Sequence, residues 1–287
     1  MGELLRGPGR KGKTMKQPLS KALWTVAMSL VGILFILPFL WMLSTSFKPE
    51  SDVFKFPIEW IPTNWNAIEN YKAVWSGQFL RYYANSIYIT VATTFFNVLI
   101  CAFAAYGFSK LRFRGRDGMF LLVLALYMVP PQASLVPQFL LFNWMHLIDT
   151  HVGLILLNSF SIIGAFMLKQ FFMGVNNEFI ESGKIDGAGH LRTFWQIALP
   201  LIRPGVATYS ILRFIWTWND YQYPLIFLKN KDLFTIQLGI RLFGDQYGDV
   251  YSLMMAGAVS AILPLLIIFA IGQKQVIEGI SLGGVKG

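Results

Sequence analysis

An all-α integral membrane protein with six transmembrane helices is the fold class this sequence predicts, and three observations predict it. Hydrophobic residues fill 55% of 287 positions and charged residues only 14%, against about 25% charged in a typical soluble domain. Six apolar segments, 22–43, 86–108, 119–141, 152–173, 206–228 and 251–271, separate polar connections. Each has about 20 residues or slightly more, and at about 1.5 Å per residue that crosses a hydrocarbon core of about 30 Å. The Lys and Arg residues are also one-sided: sixteen flank one face of the six spans, seven the other, and Arg213 lies within the fifth. Basic connections stay cytoplasmic, so both termini and the fourth connection are expected in the cytoplasm. The net charge of +9 then reads as a topology signal and contact with anionic membrane lipid, with no nucleic acid required.

The chain opens on a basic tail, 1–21. Within it Gly7-Pro8-Gly9-Arg10-Lys11-Gly12-Lys13-Thr14 matches a phosphate-loop pattern and a dinucleotide pattern. Neither has its context, because both need a buried strand before the glycines and a helix packed on a sheet after them. The apolar run from Ala22 is too long for a cleaved signal and reads as a retained anchor. The connection 47–83 is rich in Trp, Tyr and Pro and is expected to fold over the outer face with some rings at the interfacial belt.

The single cysteine, Cys101, lies in a run of small residues within the second span and is expected to pack, since small residues let membrane helices approach closely. The third span contains Pro130, Pro131, Gln132 and Pro137. A proline there frees backbone carbonyls, so the helix breaks facing a water-lined pathway or kinks against a neighbouring helix. Pro131 and Gln132 are therefore pathway candidates.

In the fifth span Arg213 and Asp220 are seven residues apart, differing by only about 20° around a helix. Trp216, Thr217 and Tyr223 fall near the same stripe, and Asn219 precedes Asp220. A guanidinium at mid-helix costs roughly 2.5–3.5 kcal/mol on insertion scales, so the stripe is expected to face a watery pathway or a subunit interface, with snorkelling of Arg213 to the headgroups as the alternative. The aromatic residues here can stack on sugar faces or sit in the interfacial belt. Catalytic and metal signatures are missing: His146, His151 and His190 lack metal spacing, and no nucleophile elbow or paired-cysteine motif occurs.

Between the fourth and fifth spans lies a polar stretch, Glu181-Ser182-Gly183, then Gly187, then Ile197, Ala198, Leu199 and Pro200. Asn177 can cap a short helix carrying Glu178 and Glu181 early, Gly187 allows a sharp turn after Asp186 and before Ala188, and a second short helix ends at Leu199-Pro200. This spacing resembles the "EAA" signature of ABC importer permeases, with Ser182 and Gly183 in place of its two alanines. The runs Ser46-Phe47-Lys48-Pro49, Asn70-Tyr71, Asn85-Ser86, Trp218-Asn219-Asp220-Tyr221 and the glycine-rich C-terminus resemble the maltose-type carbohydrate branch.

That resemblance implies a type I permease fold: a five-helix core, 81–272, after a first helix and outer loop, 22–80, with a cytoplasmic coupling loop, 175–203, and a C-terminal tail, 273–287. It implies a subunit of the bacterial or archaeal cytoplasmic (inner) membrane, paired with a second permease, two ATPase subunits that use ATP and Mg, and an extracytoplasmic solute-binding protein. This chain is expected to bind no cofactor and no metal and to do no catalysis. The imported solute is expected to be a sugar, with a non-sugar solute such as a glycerophosphodiester as the alternative. A secondary transporter is the competing class; it would show coupling-ion carboxylates in the spans or paired broken helices in two related halves, and only Asp220 stands in a span.

Overall fold

The computed structural model describes residues 17–244, 248 and 250–284, and every regular element among them is helical. The basic run at 7–14 and the terminal Val285, Lys286 and Gly287 lie outside the described residues. Helix α1 (Gln17–Ser46) starts before the expected span, and α2 (Ala67–Trp75) lies in the connection that follows it. Helix α3 (Phe79–Lys110) has 32 residues, about 48 Å at helical rise, so it projects beyond the hydrocarbon layer.

The third expected span is two helices, α4 (Arg116–Leu126) and α5 (Pro131–Trp144), bent by 96°. The fourth is also two, α6 (His151–Leu157) and α7 (Ile162–Met173), bent by 50°. Next come α8 (Asn177–Ile185), α9 (His190–Thr193), a π-helical turn at Phe194–Ala198 and α10 (Leu199–Leu201). The fifth expected span divides into α11 (Arg203–Trp218) and α12 (Gln222–Phe227) around an unwound Asn219, Asp220 and Tyr221. After α13 (Ile236–Arg241), α14 (Tyr251–Gly284) carries the sixth span and continues as helix through the stretch read from sequence as a C-terminal tail. Three segments are long and apolar enough to cross a membrane unbroken, Lys21–Ser46, Phe79–Lys110 and Tyr251–Gln275, or five if each bent pair is one span.

Helix α3 is the axis of the bundle, packed on α7 and α11, while α11 also packs on α14 and α14 on α1. Close approach follows from small residues. Cys101, Ala102 and Ala105 are fully or almost fully buried on α3. A Cβ added at Gly164 would collide with the Tyr209 ring, and one at Gly205 with the Phe171 ring. Without a hydrophobic driving force between helices in lipid, such contact is what holds them. Helix α1 buries nothing within its apolar window, and its Leu23, Trp24, Leu34 and Phe35 are exposed on this chain.

The connection after α1 is an ordered cap. Ser44 Oγ donates to Trp60 O (2.7 Å), Asn66 N to Phe47 O (2.8 Å) and Ser252 N to Glu50 Oε2 (2.8 Å). Lys48 is almost fully buried, donating to Glu59 O beneath the Trp41 ring. Asn70 Nδ2 donates to Ser46 O (3.0 Å) and Lys48 O (2.8 Å), while its Oδ1 accepts from Asn66 Nδ2 (2.9 Å). Asn85 Nδ2 donates to Asp232 O and Phe234 O, and Ser86 Oγ accepts from Ile236 N, so the segment before α13 is tied to the same end of α3. At that end Asp149 Oδ1 accepts from the amides of Lys229 and Asn230, which hold its carboxyl below the ordinary value.

Asn70→Ala removes three hydrogen bonds at once and leaves the carbonyls of Ser46 and Lys48 unpaired in a buried corner. Each orphaned group costs about 1–3 kcal/mol, so the thermal unfolding midpoint of the purified chain in detergent is expected to fall by several degrees, and an unchanged midpoint would refute the anchoring role of Asn70.

Candidate functional site

The segment 175–203 folds as expected in outline and differs in two details. Asn176, in extended backbone, is the N-cap of α8, and its side chain accepts from Glu178 N (3.1 Å). Asn177, the residue expected to cap, is occupied elsewhere: its Oδ1 accepts from Lys110 Nζ (2.7 Å), which also donates to Val175 O (2.6 Å). This pins the start of α8 to the end of α3. The second helix does not stop at Pro200 but runs as α9, the π turn and α10 to Leu201. In that π turn Leu199 N donates to Phe194 O, five residues back, just before Pro200, which has no N–H to donate.

Gly187 makes the turn. Ala188 N donates to Gly183 O (2.9 Å) and Gly187 N to Lys184 O (3.0 Å), the bond pair of a Schellman motif with its left-handed residue at Gly187, φ +78°. Gly183 has a different task. A Cβ there would strike Ile197 Cδ1, so glycine at this position lets the two arms of the helix-turn-helix close on each other.

The closed pair buries one face and exposes the other. Ile180, Phe194 and Ala198 join a core with Tyr106, Leu168 and Phe172, and Phe194 stacks on Phe103 of α3 at 4.4 Å between ring centroids. On the opposite face Ile185 is 86% exposed and Leu191 68%, with Phe179 also open. Glu178, Glu181, Ser182 and Asp186 share that exposure. Apolar side chains this open beside carboxylates form a surface that another protein can cover.

The second candidate region lies within the bundle, at the break between α6 and α7. Arg213 Nη2 on α11 donates to Asn158 O (2.9 Å) and Asn158 Oδ1 (3.0 Å). Asn97 Nδ2 on α3 donates to Asn158 O (2.8 Å), and Asn97 Oδ1 accepts from Tyr209 Oη (2.7 Å). Cys101 Sγ lies 3.3 Å from Ser161 O, which also accepts from Ala165 N (2.9 Å), so the cysteine packs as expected against the start of α7. Arg213 is thus held inside the protein and does not snorkel. Its Nε and the Thr217 hydroxyl are buried without a partner among the described residues.

Arg213, Trp216, Thr217, Asp220 and Tyr223 line one crevice of about 210 Å³ together with Asn158, so the five residues of the predicted stripe do meet, although the continuous helix expected to carry them is interrupted between Trp218 and Gln222. Arg213 and Asp220 form no ion pair among the described residues; Asp220 Oδ1 instead accepts from Tyr223 N (3.2 Å), starting α12. Asn219 lies outside the crevice, its Nδ2 donating to Ile215 O (2.9 Å). Pro131 and Gln132 also lie apart, exposed at the 96° break between α4 and α5. The broken third span is therefore not a kink buried against a neighbour in this chain. Asn97, Asn158 and Tyr209 escaped the sequence reading, although two amides within apolar spans were a legible signal of an intramembrane polar site. Among the described residues no cluster of three metal-ligating side chains occurs; His151 Nε2 bonds Leu233 O (2.9 Å), and His146 takes the left-handed position after α5, φ +56°.

The family described as "Binding-protein-dependent transport system inner membrane component" matches residues 97–280. The arabinooligosaccharides transport system permease protein AraQ of Bacillus subtilis is 31% identical, over 92% of this chain and 95% of its own. The galactooligosaccharides transport system permease protein GanQ of the same organism is 31% identical, over 91% and 93%. A chain from the crystal structure of a bacterial ABC transporter involved in the import of the acidic polysaccharide alginate superposes with a TM-score of 0.81 at 21% identity, over 92% of this chain and 99% of that one.

Arg213→Leu leaves Asn158 O with one donor fewer and Asn158 Oδ1 facing an apolar side chain. The variant is expected to insert normally and to transport poorly, and Asp220→Asn, which keeps an acceptor for Tyr223 N, to lose less. Uptake assays normalised to membrane abundance check this, and parental uptake by Arg213→Leu would make the crevice irrelevant to transport.

Proposed function

This chain belongs to the family of binding-protein-dependent transport system inner membrane components, and from that premise we propose that it forms half of the translocation pathway of an ATP-driven oligosaccharide importer. As a member it is a multi-pass inner-membrane permease of an ABC importer and not the catalytic subunit. The sugar class is our reading from relatives whose names specify arabinooligosaccharides and galactooligosaccharides. We assign a second permease as its partner, a pair of ATPase subunits on the cytoplasmic side and a solute-binding protein on the other.

The observation that carries the coupling role is the two-faced helix-turn-helix. Its inner face is wedged against α3 and α7 through Phe194 and Ile180, and its outer face offers Phe179, Ile185 and Leu191 beside Glu178 and Glu181. A surface that closes on the outer face when ATP is bound moves the bundle as a rigid body, because packed helices shift between discrete arrangements and do not deform continuously. Glu178, Glu181, Ser182, Gly183, Asp186, Gly187, Ala188, Ile197, Leu199 and Pro200 are assigned to this element. Arg213, Trp216, Asp220 and Tyr223 are assigned to the pathway wall.

Gly187→Val tests the coupling. No neighbouring atom crowds Gly187, so the defect comes from forcing a β-branched residue to φ +78°, a strain of about 1–3 kcal/mol. Insertion should be normal, and transport and substrate-stimulated ATP hydrolysis in the assembled complex should fall together; normal transport would sink the coupling role. The orientation is tested by single cysteines at positions 114 and 190 in a Cys101-free background. Both should react with impermeant thiol reagents only from the cytoplasmic side, and labelling of intact cells would reverse the topology.

A further inference from the structure

A crevice of about 720 Å³ opens between α8 and the 111–115 turn, where the membrane helices α3 and α7 both end. Lys110, Arg112, Arg116 and Lys184 line it, against Glu181. Two of these cations are engaged: Lys110 with Val175 O and Asn177 Oδ1, and Arg116 with Asp117 (2.9 Å). The side chains of Arg112 and Lys184 make no hydrogen bond or ion pair among the described residues, and both residues are exposed. Beside the charges two apolar side chains stand open. Phe113 is 44% exposed and Met173 58% exposed.

We propose that this crevice binds the phosphate of an anionic glycerophospholipid, with Arg112 and Lys184 as its free cations and Phe113 and Met173 against the glycerol and upper acyl chain. Its position supports this, because the apolar spans 86–108 and 152–173 end within two residues of the ends of α3 and α7, on the Lys/Arg-rich side of the chain. Its mixed chemistry supports it too. A free phosphate gains nothing from exposed Phe and Met beside the cations, whereas a lipid uses both. The exposed residues Phe179, Ile185 and Leu191, which we assign to the ATPase surface, do not line the crevice. The inference rests on the membrane placement of α3 and α7 and stands whether or not 175–203 is the coupling element.

The test is native mass spectrometry of the delipidated full-length permease in its complex, titrated with phosphatidylglycerol, phosphatidylethanolamine or inorganic phosphate. One phosphatidylglycerol should be retained in preference to phosphatidylethanolamine, and millimolar phosphate should not displace it. Each basic residue near an anionic headgroup contributes about a fivefold effect, so R112Q/K184Q should weaken retention about thirtyfold. R112K/K184R should restore it, which separates charge from folding, and R114Q, outside the crevice, should bind as the parent does. Unchanged retention by R112Q/K184Q, equal retention of the two lipids, or displacement by inorganic phosphate overturns the proposal. Loss of the ATPase subunits from R112Q/K184Q with phosphatidylglycerol still bound would assign the crevice to the protein interface and overturns it equally.

Discussion

The pairing of backbone groups at membrane depth is the constraint on which the rest of this structure depends. Hydrocarbon offers no hydrogen bonds, so each interruption of a span must be satisfied from within the protein or face a watery cavity. The break between α6 and α7 leaves the carbonyl of Asn158 to be satisfied from outside, and two helices answer it: Asn97 from α3 and Arg213 from α11, while Cys101 of α3 adds a second donor to Ser161 O. Tyr209 completes the set by occupying the other end of the Asn97 amide. The network explains why α3, α7 and α11 are the mutually packed core and why Gly164 must be glycine where the Tyr209 ring lies against it.

The other two breaks are handled mostly locally. Between α4 and α5, Tyr127, Met128 and Val129 each donate three residues back, and Pro131 needs no donor partner. Between α11 and α12, the Asp220 carboxylate takes up the amide of Tyr223. Gln237 Nε2 of α13 also donates to Trp218 O at that break (3.3 Å), whereas the α6–α7 break is answered from α3 and α11 and so ties the core together. Tyr127, Met128 and Trp216 remain open on this chain.

Helix α3 links the two candidate regions in one rigid element. Phe103 and Tyr106 contact Phe194 of the helix-turn-helix, and Asn97, about two turns earlier, holds the α6–α7 break. Helix α11 begins two residues after α10 and carries both Tyr209 and Arg213. A displacement of the helix-turn-helix therefore reaches the polar network through two helices, without passing along a flexible loop. Lys110 strengthens this joint by bonding the last turn of α3 to the first turn of α8.

The sequence by itself determined the membrane class, because composition and the length of apolar runs answer directly to bilayer thickness. Although Asp220 and Tyr223 join Arg213 only across the break that ends α11 at Trp218, the sequence also determined the helix-turn-helix, whose left-handed turn needs Gly187 whatever surrounds it, and the shared face of Arg213, Trp216 and Thr217, which follows from helical period. These are local or periodic properties. Pro130 and Pro131 announced an interruption in the third expected span, but only the tertiary structure decided that the fourth and fifth are broken helices too, since hydropathy registers apolar length and is blind to the direction of the axis. It likewise decided that Asn176 and not Asn177 caps α8, because the competing ligand is Lys110, 67 residues away. The partner of Arg213 was hidden for the same reason: Asn158 lies 55 residues earlier, and a hydrogen bond across that separation exists only once the helices have packed.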